Sequence, residues 1–158
     1  MSPDAIDIRD AIDADSIDAD SIDVRDAIDT GDAIDVRIYY EDTDCGGVVY
    51  YGKYLAYLER ARTAYLECRG VNLSALMAEG IYFVVVHVDI KYRRPARYGD
   101  IIRVRSVVEH STPATITFKH SVVIKACGTD IATATVKLAC VGGEGMKPRR
   151  LPEGVIAA

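Results

Sequence analysis

The last three of four long strand-like stretches, Asp100–Ser111, Ala114–Ala126 and Asp130–Val141, are separated by links of only two or three residues. A parallel pair needs a crossover of about a dozen residues, so links this short force antiparallel hairpins. Thr112-Pro113 and Gly128-Thr129 supply the turn chemistry. The first stretch, Tyr82–Tyr92, is almost continuously apolar through Val84-Val85-Val86. That pattern predicts a central strand covered on both faces. Asp100–Ser111 alternates instead, with Ile102, Val104 and Val107 set against Arg103 and Arg105.

Ahead of these strands, Val36–Tyr40 alternates as a first strand, and Lys53 to about Arg69 reads as a helix. Tyr54, Leu58, Ala61 and Tyr65 recur on one face, with Glu59, Arg60, Thr63 and Glu67 opposite. Gly70 ends that helix, and Asn72 caps a shorter one stopped by Gly80. Strands of this length span about 36–40 Å and the long helix about 25 Å. The economical arrangement is an α+β one, a long curled antiparallel sheet wrapped around one central helix in the order β-α-α-β-β-β-β. Its long edges need cover, most simply from a second copy.

Residues 1–35 have a different texture: 12 Asp against Arg9 and Arg25, with Ile recurring every five or six positions. Neither a helix nor a strand has that period, and the like charges repel, so a disordered acidic arm is expected. Weak cation binding and partner docking are lesser alternatives for it. Residues 36–141 form the folded domain, and 142–158 a loosely held tail. Residues 36–158 carry 17 Lys and Arg against 12 Asp and Glu. That suits an anionic ligand and is too weak to argue for nucleic acid. Cys45, Cys68, Cys127 and Cys140 form no C-x-x-C and no cluster with the three histidines, so neither a metal site nor a disulfide framework is readable. With no signal-peptide layout and no membrane-length apolar run, a cytoplasmic protein is expected.

The chemistry concentrates in YYEDTDCGGVVYYGKYLAYLERAR, Tyr39 to Arg62. An acidic turn (Glu41, Asp42, Thr43, Asp44) runs through Gly46-Gly47 to a helix start, whose unpaired amides can accept developing negative charge. A carboxylate beside such a helix end suits hydrolysis. On residue type alone Asp44 reads first as an ordinary turn Asp capping the following amides.

This stretch, followed by VDIKYRRPARYGD, resembles the hot-dog-fold acyl-CoA thioesterases, and within them the Tol–Pal-associated type related to 4-hydroxybenzoyl-CoA thioesterase. The resemblance covers residues 36–141; the acidic arm has no counterpart in it. It implies a homodimer or homotetramer with sites at the dimer interface and no metal or organic cofactor. It also implies that Asp44 is the catalytic carboxylate, as nucleophile or general base, and that Tyr40 lines the same site. The position often held by His in the Tol–Pal-associated members is Tyr51 here, so an imidazole is absent and a backbone N–H is left to polarise the thioester carbonyl.

Around this motif, Asp42 is expected to support the turn, Glu59 to pair with Arg62 on the helix surface, and Cys45 to be a small packed thiol. His87 reads as a satisfied core or interface histidine, and His110 and His120 are assigned no role. Gly47 allows close backbone approach to a ligand. Arg93 and Arg94, with Lys91 and Arg97, are either a solvated strand end or the contact for coenzyme A phosphates. The leading function is hydrolysis of an acyl-CoA or acyl-carrier-protein thioester. The alternative is a non-catalytic or weakly catalytic protein that binds acyl thioesters or docks to an envelope-associated complex. A hydratase of the same fold is disfavoured, because its His-plus-acid pattern is missing.

Overall fold

Alternation along the hairpins decides which side chains enter the core. The structure, a computed structural model, describes residues 32–156. The three consecutive hairpin strands are β3 (Ile101–Ser111), β4 (Thr115–Ile124) and β5 (Asp130–Gly142), each antiparallel to the next; the other strands of the sheet are β1 (Ala33–Arg37), β2 (Ile81–Tyr92) and the short β6 (Lys147–Pro148). Ile102, Val104 and Ser106, then Ile116, Phe118, His120 and Val122, then Ala132, Ala134, Val136 and Leu138, are buried at every second position. Against this face lies α1 (Lys53–Cys68), packed on β3 and β1. It presents Tyr54, Tyr57, Leu58, Ala61, Tyr65 and Leu66 to the core. The result is a curled antiparallel half-barrel around a helix.

The end of α1 follows from its last residues. Gly70 takes a φ of +82°, its N–H donates to the Glu67 carbonyl at 2.9 Å, and the Val71 N–H donates to Leu66 at 3.0 Å. This is a Schellman closure, sealed by the buried pair Leu66 and Val71. Asn72 then caps α2 (Leu73–Ala78), its side chain accepting from the Ala75 N–H at 3.0 Å.

Several expectations need correction. The sheet runs β1-β3-β4-β5-β2, with β6 pairing the far end of β5. Tyr82–Tyr92 therefore lies in an edge strand, not at the centre. The hairpin strands fill the middle, and β2 takes the one free side of β5. Val85 and Val86 stay 53% and 54% exposed, and His87 beside the bulge is exposed too, neither core nor covered within this chain.

The first strand occupies Ala33–Arg37, three residues earlier than the alternation suggested, because Asp35 stands opposite Arg103 in the register and is paired there. Arg103 grips both Asp35 oxygens, at 2.8 and 3.2 Å, and Lys125 adds a contact at 2.6 Å. The tail also packs: Leu151 and Val155 of the segment carrying α3 (Glu153–Ile156) are buried in the core, so two apolar anchors outweigh its glycines and prolines. On β3 the buried partner of Ile102 and Val104 is Ser106, not Val107. The acidic arm up to residue 31 lies outside the described residues. No helix among the described residues is long and apolar enough to cross a membrane.

Candidate active site

The segment between β1 and α1 folds as a tight turn because glycine permits it and a buried aspartate anchors it. Thr43 and Val49 form an antiparallel bridge at its base. Within it the Asp44 N–H donates to Val48 at 2.9 Å, and the Gly47 N–H returns to the Asp44 carbonyl at 3.0 Å. Gly47 sits at φ +72°, where a side chain is strained. Asp44 is exposed and accepts the Gly46 N–H on Oδ1 at 2.7 Å. That is the bond an ordinary turn Asp makes, and it leaves Oδ2 with no hydrogen bond among the described residues.

Asp42 does what was expected of it. The side chain is buried, its Oδ2 accepts the Tyr39 N–H at 2.9 Å, and its Oδ1 meets Lys53 Nζ at 3.1 Å. Burial alone would raise this carboxyl. The Tyr39 amide, Lys53 and Tyr57 outweigh it and hold the group below the usual carboxylate range. The Tyr57 hydroxyl is buried close enough to Asp42 for their ionisations to be linked, yet outside hydrogen-bond geometry. Burial first, then Asp42, pushes the Tyr57 phenol up.

Two backbone bonds carry the turn to the helix. The Tyr50 N–H donates to the Asp42 carbonyl at 2.8 Å, and the Val49 N–H donates to Ala96 at 2.9 Å. Tyr51 and Gly52 follow, with Gly52 at the N-terminal boundary of α1. Among the described residues neither of their N–H groups meets an acceptor. These amides, with the helix start behind them, are suited to a carbonyl oxygen that is gaining charge.

The turn thus collects Asp44, Tyr40 and Gly47 and sets Tyr51 next to its base. Tyr40 contributes its carbonyl, which accepts from the Thr43 N–H and hydroxyl, while its ring is 83% exposed. The Tyr51 ring is also exposed and lies 4.5 Å from that of Tyr50. Arg93 and Arg94 are fixed by their backbones, both N–H groups donating to the Ile131 carbonyl at 2.8 and 3.2 Å, with exposed side chains.

The basic residue brought against the glycine turn is Arg97, whose Nη1 lies 3.5 Å from the Gly47 carbonyl, at the outer limit of a hydrogen bond. Its own N–H is held by Asp100 at 2.8 Å. The run of arginines flagged the region; which of them reaches the turn depends on a contact across fifty positions.

Cys45 is exposed rather than packed, because its turn projects into solvent. Glu59 is at the surface but takes the Thr63 hydroxyl at 2.9 Å rather than Arg62, which is buried towards the sheet. A cleft of about 410 Å³ between β1 and α1 is lined by Val36, Arg37, Asp42, Tyr57 and Arg60 among others, but by neither Asp44 nor Tyr51. Among the described residues no group of three or more His, Cys, Asp or Glu converges as a metal site.

The thioesterase-like superfamily model matches residues 36–158. Acyl-CoA thioester hydrolase YbgC of Escherichia coli O6:H1 is 40% identical over 122 residues, 77% of this chain and 90% of that protein. Acyl-CoA thioesterase YbgC of Haemophilus influenzae is 40% identical over 132 residues, 83% and 96% of the two chains. Among solved structures, Slr0204, a 1,4-dihydroxy-2-naphthoyl-CoA thioesterase from Synechocystis, superposes with a TM-score of 0.74 over 79% of this chain and 92% of that one. Its 21% identity makes that a likeness of fold. With a helix held in a curled antiparallel sheet and a family match that runs through the domain, this chain belongs to the thioesterase-like superfamily and has the hot-dog fold.

Proposed function

We propose that this chain hydrolyses acyl-CoA thioesters, with Asp44 delivering the attack and the amides at the entrance to α1 taking up charge on the carbonyl oxygen. The observation that carries this reading is the pairing of a carboxylate turn with a helix start. The Asp42–Tyr50 backbone bond and the Asp42–Lys53 ion pair tie the two together, beside amides that have no acceptor among the described residues. The relatives named acyl-CoA thioesterases support hydrolysis of acyl-CoA thioesters as the reaction.

Two routes fit one carboxylate. As nucleophile, Asp44 adds to the carbonyl carbon, the C–S bond breaks, the thiolate leaves, and water hydrolyses the resulting mixed anhydride. As base, it takes a proton from a water that attacks directly, and the proton passes to the departing sulfur. In single turnover in ¹⁸O water, label in the Asp44 carboxylate establishes the first route with water opening the anhydride at the Asp44 carbonyl, since the second route never places a water oxygen there.

The enzyme works as a homodimer in this reading. Asp44 and Tyr51 are exposed and lie outside the cleft between β1 and α1, which leaves room for a second copy to wall the site. The outer edge of β2, twelve residues long, has no strand partner among the described residues and leaves Val85, Val86 and Val88 exposed, a surface soluble proteins cover. Arg93, Arg94 and Arg97 bind the phosphates of the coenzyme A half. Turnover of a panel of acyl-CoAs by purified protein and by Asp44→Asn tests the assignment. Folded Asp44→Asn hydrolysing at the wild-type rate would overturn it.

A further inference from the structure

Tyr92 closes β2 at the end nearest the candidate site. Its backbone pairs with Ala132 of β5, and the next two N–H groups are pinned on the Ile131 carbonyl, so it stands on a rigid strand end. Its ring packs edge-on against the buried Tyr54 ring at 5.4 Å. From there its hydroxyl donates to the Tyr51 carbonyl at 2.8 Å, across forty-one positions. Tyr54 is held in turn by the Tyr57 ring at 6.0 Å.

The acceptor matters because of what shares its peptide plane. The Tyr51 C=O and the Gly52 N–H belong to one peptide unit, and no peptide bond among the described residues is cis. In a trans unit the two bonds point in opposite directions. A hydroxyl locked on the carbonyl therefore aims the Gly52 N–H away from Tyr92, and accepting that bond polarises the amide into a better donor. Gly52 has no side chain to hold the plane, and a Cβ there would lie 2.8 Å from the Tyr50 ring, which would have to shift. The orientation of this amide rests on an external clamp.

We propose that Tyr92 is a positioning residue: by fixing the Tyr51–Gly52 peptide it holds the Gly52 N–H ready for the thioester oxygen. This rests on the reading of the α1 entrance given above. Tyr92→Phe removes the hydroxyl and keeps the ring packing. It is expected to lower kcat about tenfold with KM within twofold, a share of the 10²–10³-fold lost when an oxyanion donor is deleted outright. A bound ketone analogue, with methylene in place of the thioester sulfur, gives a second readout. Its carbonyl stretch, shifted down in the wild type, should shift less in Tyr92→Phe. Tyr82→Phe, at the other end of β2, should change neither.

An unchanged kcat and stretch in folded Tyr92→Phe of wild-type mass would overturn the proposal, as would a change in KM alone. If that variant does not fold, 3-fluorotyrosine at position 92, a stronger donor, should deepen the downshift, and an unaltered spectrum would overturn the proposal equally. Asp44→Asn keeps the two readings apart. A slow Asp44→Asn beside a normal Tyr92→Phe removes only the clamp, whereas a fully active Asp44→Asn removes the mechanism beneath it.

Discussion

Replacing His120 with Asn is expected to flatten the chain's loss of stability in mild acid. His120 is 1% exposed; its Nδ1 lies 2.8 Å from Ser106 Oγ, and its Nε2 has no hydrogen-bond partner among the described residues. Arg62 faces it from α1, Ser106 and Arg105 from β3, and Phe118, itself packed edge-on against Tyr65, stacks on it from the same strand. Burial first, and the Arg62 charge second, push its pKa down to about 3 against a small opposing effect of the Arg105 backbone.

An unfolded histidine titrates near 6.5, so between pH 6.5 and 3 the unfolded chain binds the extra proton. A depressed histidine pKa makes stability complete above pH 6.5 and lost as pH falls through the window. Each pH unit costs about 1.4 kcal/mol, so pH 4.5 removes about 2–3 kcal/mol, a large part of the 5–15 kcal/mol a domain this size holds. Asp35 and Asp42, held below their usual range, are lost at lower pH and leave this window to the imidazole. Urea unfolding at fixed protein concentration at pH 7, 5.5 and 4.5 measures the slope. His120→Asn keeps a partner for Ser106, starts less stable for its lost volume, and should lose about 1 kcal/mol less per pH unit than wild type. Parallel slopes would refute the reasoning.

Asp44→Asn should lower kcat by roughly 10²–10⁴-fold with the fold intact by circular dichroism, while Cys45→Ala costs little. Asp42→Asn should instead cost about 1–3 kcal/mol of stability in thermal or urea unfolding, since it weakens a buried charged anchor, with kcat falling less than tenfold. Arg93→Ala with Arg94→Ala, and separately Arg97→Ala, should raise KM for acyl-CoA and leave kcat nearly unchanged in steady-state kinetics. Val86→Asp should shift the light-scattering mass from dimer towards monomer and reduce turnover with it. A chain starting at Asp32 keeps β1 and the Asp32–Arg69 pair, and its unfolding temperature and turnover should match those of the full chain.

Much of this architecture could be read before any coordinates. Two-residue periodicity and short links mark β3, β4 and β5, and a 3.6-residue stripe marks α1. Where reading failed, the cause is physical. The apolar run of β2 reports that something covers it, but composition does not say whether the cover is the same chain. Arg62 was read by its charge, although its spacing from Leu58 and Tyr65 puts it on the buried stripe. His120 continues the alternation Ile116, Phe118, Val122 and was legible there, had a polar residue been allowed inside. The Tyr92–Tyr51 and Arg97–Gly47 contacts join distant positions, and no local pattern records them.

The two edges of the sheet differ in kind. One is β1, five residues long, with its outward Asp35 already gripped by Arg103 and Lys125. The other is β2, twelve residues long and apolar. Two sticky edges would let molecules add end to end without limit; with one, the first pairing consumes the means of making another. Matching β2 to β2 about a two-fold axis closes on itself. If β2 pairs with β2 as proposed, the edge consumed by that pairing leaves only the short, charge-gripped β1 flank for further strand addition.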